Sequence, residues 1–254
     1  MGGRGGGSHR ANGGGGVGGM AQARSFLERA YGVHHASMIM NYLNRAPEAI
    51  RSLWEEFAGS FRAARTDPES SDAYYSSQTD NVTLGINQVA RGDSIHPPYA
   101  TIFHEYGHMT DYLIARKLGA GRHTAYSDIY KNGLLGKTAK AELTGHINRF
   151  LQLNPRYRRA DAVDMLIREV KSKYNMLDRS DISDMFEGAG IGRGFPLGSG
   201  HGLTYWSNRG NGKEIFAEIT SAEAAHPGSL KAIKEYFPQT YAVYHQMLKE
   251  RKNR

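Results

Sequence analysis

The run YATIFHEYGHMTD, residues 99–111, holds side chains whose types and spacing suit metal-assisted hydrolysis. His104 and His108 are four residues apart. An α-helix turns 100° per residue, so the two rings stand one above the other on one face and can bind a single zinc ion. Glu105 lies beside them, too far round the helix to be the best third ligand. It is well placed to take a proton from a metal-bound water, whose pKa zinc lowers towards about 7. Asp111, three residues after His108, can accept the second N–H of a ligating histidine. Gly107 costs a helix roughly 1 kcal/mol relative to alanine. Its place between the histidines points to another chain segment passing close by.

Two histidines do not complete a metal site. The further candidates are His201 in the run GHG, Tyr205, and the stretch GKEIFAEITSAEAAH. In a helix Glu214 and Glu218 share one face. Paired carboxylates on a buried helix are costly unless the charges meet a partner. A metal ion with its histidines would be such a partner.

These residues need elements to hold them. The pattern predicts a helix from about Pro98 to Leu118, closed by Gly119. Before it, NVTLGINQV alternates Val82, Leu84 and Ile86 with Thr83, Gly85 and Asn87, which predicts a strand with one buried face. Gly85 would let a substrate peptide approach that strand closely. Residues 66–80 read as turn. Residues 20–65 read as a helical N-terminal region built from AQARSFLERAY, HASMIMNYLNRA and PEAIRSLWEEFAGSFRAAR. Further helices are expected at about 137–152, 158–174, 180–187, 213–225, 227–236 and 238–251. The glycine-rich stretch 188–213 reads as a long connection able to move over a site. Residues 1–19, mostly glycine, read as a disordered tail. The expected fold is therefore mainly α (α+β): one domain over 20–254 with a small sheet whose edge strand precedes the active helix.

Composition removes several alternatives. The chain of 254 residues has no cysteine, which excludes disulfides, thiolate zinc sites and cysteine nucleophiles. Any metal must be held by His, Asp, Glu or Tyr. The net charge is +7, but the basic residues are dispersed and no nucleic-acid-reading motif accompanies them, so a solvated basic surface is expected and nucleic acid is not. No apolar run approaches the roughly 18–20 residues that span a bilayer. The start lacks the apolar core of a secretory signal, so the expectation is a cytoplasmic protein or one delivered by a signal-independent route.

HEYGHMTD followed downstream by EIFAE resembles the gluzincin-type zinc peptidases. It is most similar to the catalytic domain of anthrax lethal factor and to related domains of bacterial toxins and phage-encoded proteins. The resemblance covers roughly residues 70–225 and implies a zincin-like domain. It implies His104, His108 and Glu214 as zinc ligands, Glu105 as general base, Glu218 as a carboxylate behind the ligands, and Tyr205 as stabiliser of the oxyanion. The tyrosine-to-glutamate spacing is wider here than in lethal factor, so His201 stands beside Tyr205 for that last role. The implied function is zinc-dependent cleavage of a protein target by a toxin, effector or phage protein, with an inhibitory or immunity partner as a further implication. The alternative is a phage structural or interaction protein that keeps a metal site for stability.

Overall fold

Helix α1, Gly16–Arg45, consists of two helical segments meeting at Gly32. The φ of 81° at Gly32 falls in the left-handed region that favours glycine. The two segments are the two periodic stretches of the sequence. The computed structural model describes residues 16–206 and 210–253. Residues 1–15 of the expected tail lie outside the described residues, but Gly16–Gly19 do not form a tail. They open α1, and Gly19 is buried where a Cβ would stand 2.5 Å from the backbone oxygen of Glu55. The missing side chain lets α1 settle on the next helix.

That helix, α2 (Glu48–Phe57), buries Ile50, Leu53, Trp54 and Phe57 along one stripe. The chain then reaches a two-stranded antiparallel sheet, β1 (Ala73–Ser76) and β2 (Asn81–Leu84), with Tyr74 opposite Thr83 and Tyr75 opposite Val82. Two expectations are corrected here. The stretch read as turn contains β1, and the strand expected through residue 89 stops at Leu84. Gly85 ends it, and Ile86–Arg91 form helix α3, with Ile86 and Val89 buried at helical spacing. A Cβ at Gly85 would stand 1.9 Å from the Ser70 carbonyl oxygen. The close neighbour of Gly85 is thus the chain's own backbone, not a substrate. On its other side β2 meets Ala63 in a parallel bridge. The outer strand is therefore β1, and not the strand that directly precedes the histidine helix.

Helix α4 (Ala100–Lys117) carries the histidines, and Gly119 at φ 84° follows its end. The short α5 (Tyr126–Ile129) leads into α6 (Leu134–Leu153), α7 (Arg159–Lys173) and α8 (Ser180–Gly188). Within the glycine-rich stretch lies a one-turn helix, α9 (Leu203–Trp206), while residues 207–209 lie outside the described residues. Helices α10 (Gly212–Ala225), α11 (Pro227–Tyr236) and α12 (Pro238–Glu250) close the chain, the last two opening on proline. No helix among the described residues is long and apolar enough to cross a membrane.

The core forms around α4 and α10. Trp54, Phe61 and Tyr106 join α2 to α4, with the Phe61 and Tyr106 rings 4.8 Å apart and Trp54 and Phe61 5.0 Å apart. Helix α10 is buried on nearly every side, so its glutamates lie in the interior and not on a solvated face. Gly107 explains how α10 approaches. A Cβ there would be 3.1 Å from Ala217 Cα and 3.2 Å from Thr220 Cβ, both on α10. Ser221 Oγ then reaches the Ala100 carbonyl at 2.9 Å.

Candidate metal centre

The close α4–α10 packing decides which groups meet. His104 Nε2 and His108 Nε2 are 3.1 Å apart. Glu214 Oε2 is 3.1 Å from His108 Nε2 and 3.7 Å from His104 Nε2. Ligands about 2.0–2.1 Å from a tetrahedral ion are about 3.3 Å from one another, and the three separations bracket that figure. Glu214 Oε2 is also buried without a hydrogen-bond donor. An orphaned buried carboxylate oxygen is costly, and a cation where these atoms converge would satisfy it. His104, His108 and Glu214 thus form a group, mostly shielded from solvent, that could hold a metal ion.

The surrounding carboxylates support a cation there. Glu218 Oε2 approaches the other ring nitrogen of His104, Nδ1, at 3.4 Å. That leaves Nε2 for an ion and places Glu218 behind the ligands. Burial disfavours a charged His104 ring, yet Glu218 and Glu214 outweigh it and hold the His104 pKa well above the ordinary range. Burial is also the largest influence on Glu214, but His108 and His104 overcome it and keep its carboxyl well below the usual range. Burial, together with Asp181 and Asp184, pushes Glu218 up to about 8 against the pull of His104.

Glu105 is buried and, with His104, lines two adjoining cavities of ≈ 300 and ≈ 360 Å³. Ala73 and His201 also border both cavities, so these are two arms of one cleft meeting at the histidine helix. Asp181, Asp184 and Glu218 lie along one arm; Tyr74, Tyr75, Tyr205 and Lys213 lie along the other.

Asp111 sits elsewhere than expected. It is fully buried and accepts the Ser127 backbone N–H at 2.8 Å and the Ser127 hydroxyl at 2.5 Å. Its carboxylate therefore ties α4 to α5 and is given to no histidine. Burial, only partly offset by the Ser127 hydrogen bonds, raises its pKa to about 7.

Tyr205 and His201 are both at the cleft, their rings stacked with centroids 4.1 Å apart. The Tyr205 hydroxyl donates to Glu214 Oε1 at 2.5 Å. His201 Nδ1 is 2.8 Å from Asp184 Oδ1. Burial works against a charged His201, but Asp184, with smaller contributions from Glu214 and Glu218, raises its pKa.

The groups that seat this loop lie outside the motifs of the histidine helix and of EIFAE. Ser180, Ser183, Asp184 and Glu187 are buried on α8. Their spacing of i, i+3, i+4, i+7 is that of a helix face turned inward. A polar stripe at an apolar stripe's spacing, within SDISDMFE, was the available signal. Comparison of the chain with protein-family models, with curated proteins and with solved structures finds no match in any of the three.

Proposed function

We propose that the chain is a zinc-dependent endopeptidase of the gluzincin type, with a zincin-like domain and a protein as its target. The observation that carries this reading is the orphaned Oε2 of Glu214, buried against the paired Nε2 atoms of His104 and His108 beside Glu105. Three neutral-or-anionic N/O donors without cysteine suit zinc, and this His₂Glu set leaves a fourth position for water. Zinc bound there would supply a water of lowered pKa.

The chain's own residues supply the rest. Glu105, at the junction of the two arms of the cleft, accepts the proton of the attacking water and passes it to the leaving amine. His201, held by Asp184 and raised in pKa, donates a hydrogen bond to the carbonyl oxygen as it gains charge. Along β1 the outer edge pairs with no strand among the described residues, and Ala73 to Tyr75 border the cleft. An extended peptide would add there as a further strand, its main chain providing the affinity. The likeness to toxin and phage-encoded domains extends the proposal to an effector or mobile-element role.

A second reading, a metal kept only for stability, draws on the same ligands because they join α4 to α10 at the centre of the core. One experiment separates the two. Zinc-loaded protein is incubated with a denatured protein substrate beside Glu105→Gln, and zinc content is measured for both. The enzyme reading expects fragments from the parent and a loss of about 10²–10⁴-fold in Glu105→Gln at unchanged zinc. If zinc raises the melting temperature but no substrate is cut, the stability reading prevails.

A further inference from the structure

Glu187 is 3% exposed and lies outside the group of His104, His108 and Glu214. Its carboxylate is nonetheless fully engaged. Oε2 accepts the backbone N–H groups of His201 at 3.1 Å and Gly202 at 2.9 Å, and the indole N–H of Trp206 at 2.9 Å. Oε1 accepts the backbone N–H of Phe195. One buried carboxyl group thus gathers four donors spread over residues 195–206, which satisfies its buried oxygens.

The other members of the α8 stripe complete a socket for the same loop. Asp184 Oδ1 takes the His201 N–H at 3.0 Å, and Ser183 Oγ donates to the Ser199 carbonyl at 2.7 Å. Gly200 has φ 130°, in the region that favours glycine, and a Cβ there would lie 2.8 Å from Glu187 Oε1. A side chain at residue 200 would be strained at that φ and would press on the Glu187 carboxylate. The loop so held ends in Tyr205, whose hydroxyl grips Glu214 Oε1, the oxygen of that carboxylate turned away from the histidines.

We propose that Glu187 is the positioning residue of the metal centre: by clamping residues 195–206 onto α8 it sets Tyr205 on Glu214, so that loop placement and metal affinity are one coupled equilibrium. The inference rests on the metal reading of His104, His108 and Glu214. The coupling is reciprocal, as linkage requires. A seated loop pre-orients the carboxylate, and an ion on the carboxylate favours the seated loop. The cleft then gains its completed wall, with His201 and Tyr205 in place, only when both are satisfied.

The test uses the full chain and its Glu187→Gln, Gly200→Ala, Tyr205→Phe and Glu187→Gln/Tyr205→Phe variants. Zinc affinity is read by competition with a chromogenic chelator. Loop seating is read from Trp206 emission, assigned by difference from a Trp206→Phe protein because the chain's tryptophans are two. Circular dichroism and melting establish that each variant is folded.

The proposal expects Glu187→Gln and Gly200→Ala to shift Trp206 emission and to weaken zinc binding about tenfold or more, the scale of lost outer contacts to a ligand. Tyr205→Phe should weaken zinc similarly, and the double variant should bind no worse than the weaker single, because both act through one link. Zinc added to the parent should itself change Trp206 emission. Variants that release Trp206 yet keep zinc affinity within about twofold of the parent would refute the coupling, as a merely structural Glu187 predicts. An unchanged Trp206 emission in Glu187→Gln would refute the clamp. A parent that takes up no zinc sinks the metal reading and the coupling together, and is told apart from the other failures by the parent's own titration.

Discussion

Gly107 on α4 lies directly against Ala217 on α10: a Cβ at residue 107 would stand 3.1 Å from Ala217 Cα, tighter than an ordinary van der Waals contact. The distance between the two helices, and with it the reach of Glu214 and Glu218 to the histidines, depends on that contact. Gly107→Ala gains roughly 1 kcal/mol of helix propensity but needs Ala217 and Thr220 of α10 to give way slightly. Overpacking of this kind costs about 1–3 kcal/mol. The expected outcome is a net loss of stability in denaturant unfolding together with weaker zinc binding. A variant that is more stable than the parent and binds zinc equally well would show that the packing does not set the site.

The group of His104, His108 and Glu214 joins two central helices, so an ion bound there only by the folded state would stabilise it. At a hundredfold excess over its dissociation constant the gain is about 2.7 kcal/mol. Zinc should therefore raise the melting temperature of the parent and leave Glu214→Ala and His108→Ala nearly unmoved. A chelator should reverse the rise. Equal zinc-induced shifts in parent and Glu214→Ala would exclude Glu214 as a ligand.

In the proposed peptidase His201 takes the oxyanion role because the Tyr205 hydroxyl already donates to Glu214. Replacing it with glutamine should lower kcat by about 10²–10³-fold, the cost of one oxyanion donor, at unchanged zinc stoichiometry. The raised pKa of His201 comes from Asp184 against the opposing effect of burial. A protonated donor is lost as pH rises through that pKa. Asp184→Asn should therefore shift the alkaline limb of the kcat profile to lower pH. An alkaline limb that stays in place would take the role from His201.

Asp80 binds the β1–β2 hairpin to the end of α4. Arg116 donates to its two oxygens at 2.7 and 2.8 Å, and the Tyr75 hydroxyl adds a third bond at 2.9 Å. Partial burial alone would raise the Asp80 pKa, yet the Arg116 and Tyr75 hydrogen bonds prevail and lower it. A depressed carboxylate contributes stability that is complete above its unfolded pKa of about 3.9 and is lost as pH falls through the folded value. Asp80→Asn should cost about 1–2 kcal/mol at neutral pH, discounted for the partial exposure of the pair. Its stability should also fall less steeply than the parent's below about pH 4, as followed by urea unfolding at several pH values. Parallel acid limbs in the two proteins would remove Asp80 from the account.

Most of what depends on neighbours along the chain was legible in the sequence. Helical spacing placed His104 above His108. Periodic apolar stripes delimited α4, α6, α7, α8, α10, α11 and α12 to within a few residues, because each stripe must face a core whatever that core contains. Even Gly107 announced that some segment passes close. Which segment it was, and what the loops touch, depended on how distant parts of the chain pack. Alternation in NVTLGINQV could not reveal that Gly85 packs on Ser70 and ends the strand, because the Ser70 carbonyl is a partner from outside the stretch. Asp111 had the right helical position to serve a histidine, yet Ser127 offered it two donors from α5. Glu187 stood in the polar stripe of SDISDMFE, but its partners were not legible there, since most are backbone N–H groups that every residue but proline possesses and that only folding brings together. Side-chain chemistry and helical pitch are written locally; the partner of a buried charge is chosen by the packing of distant segments.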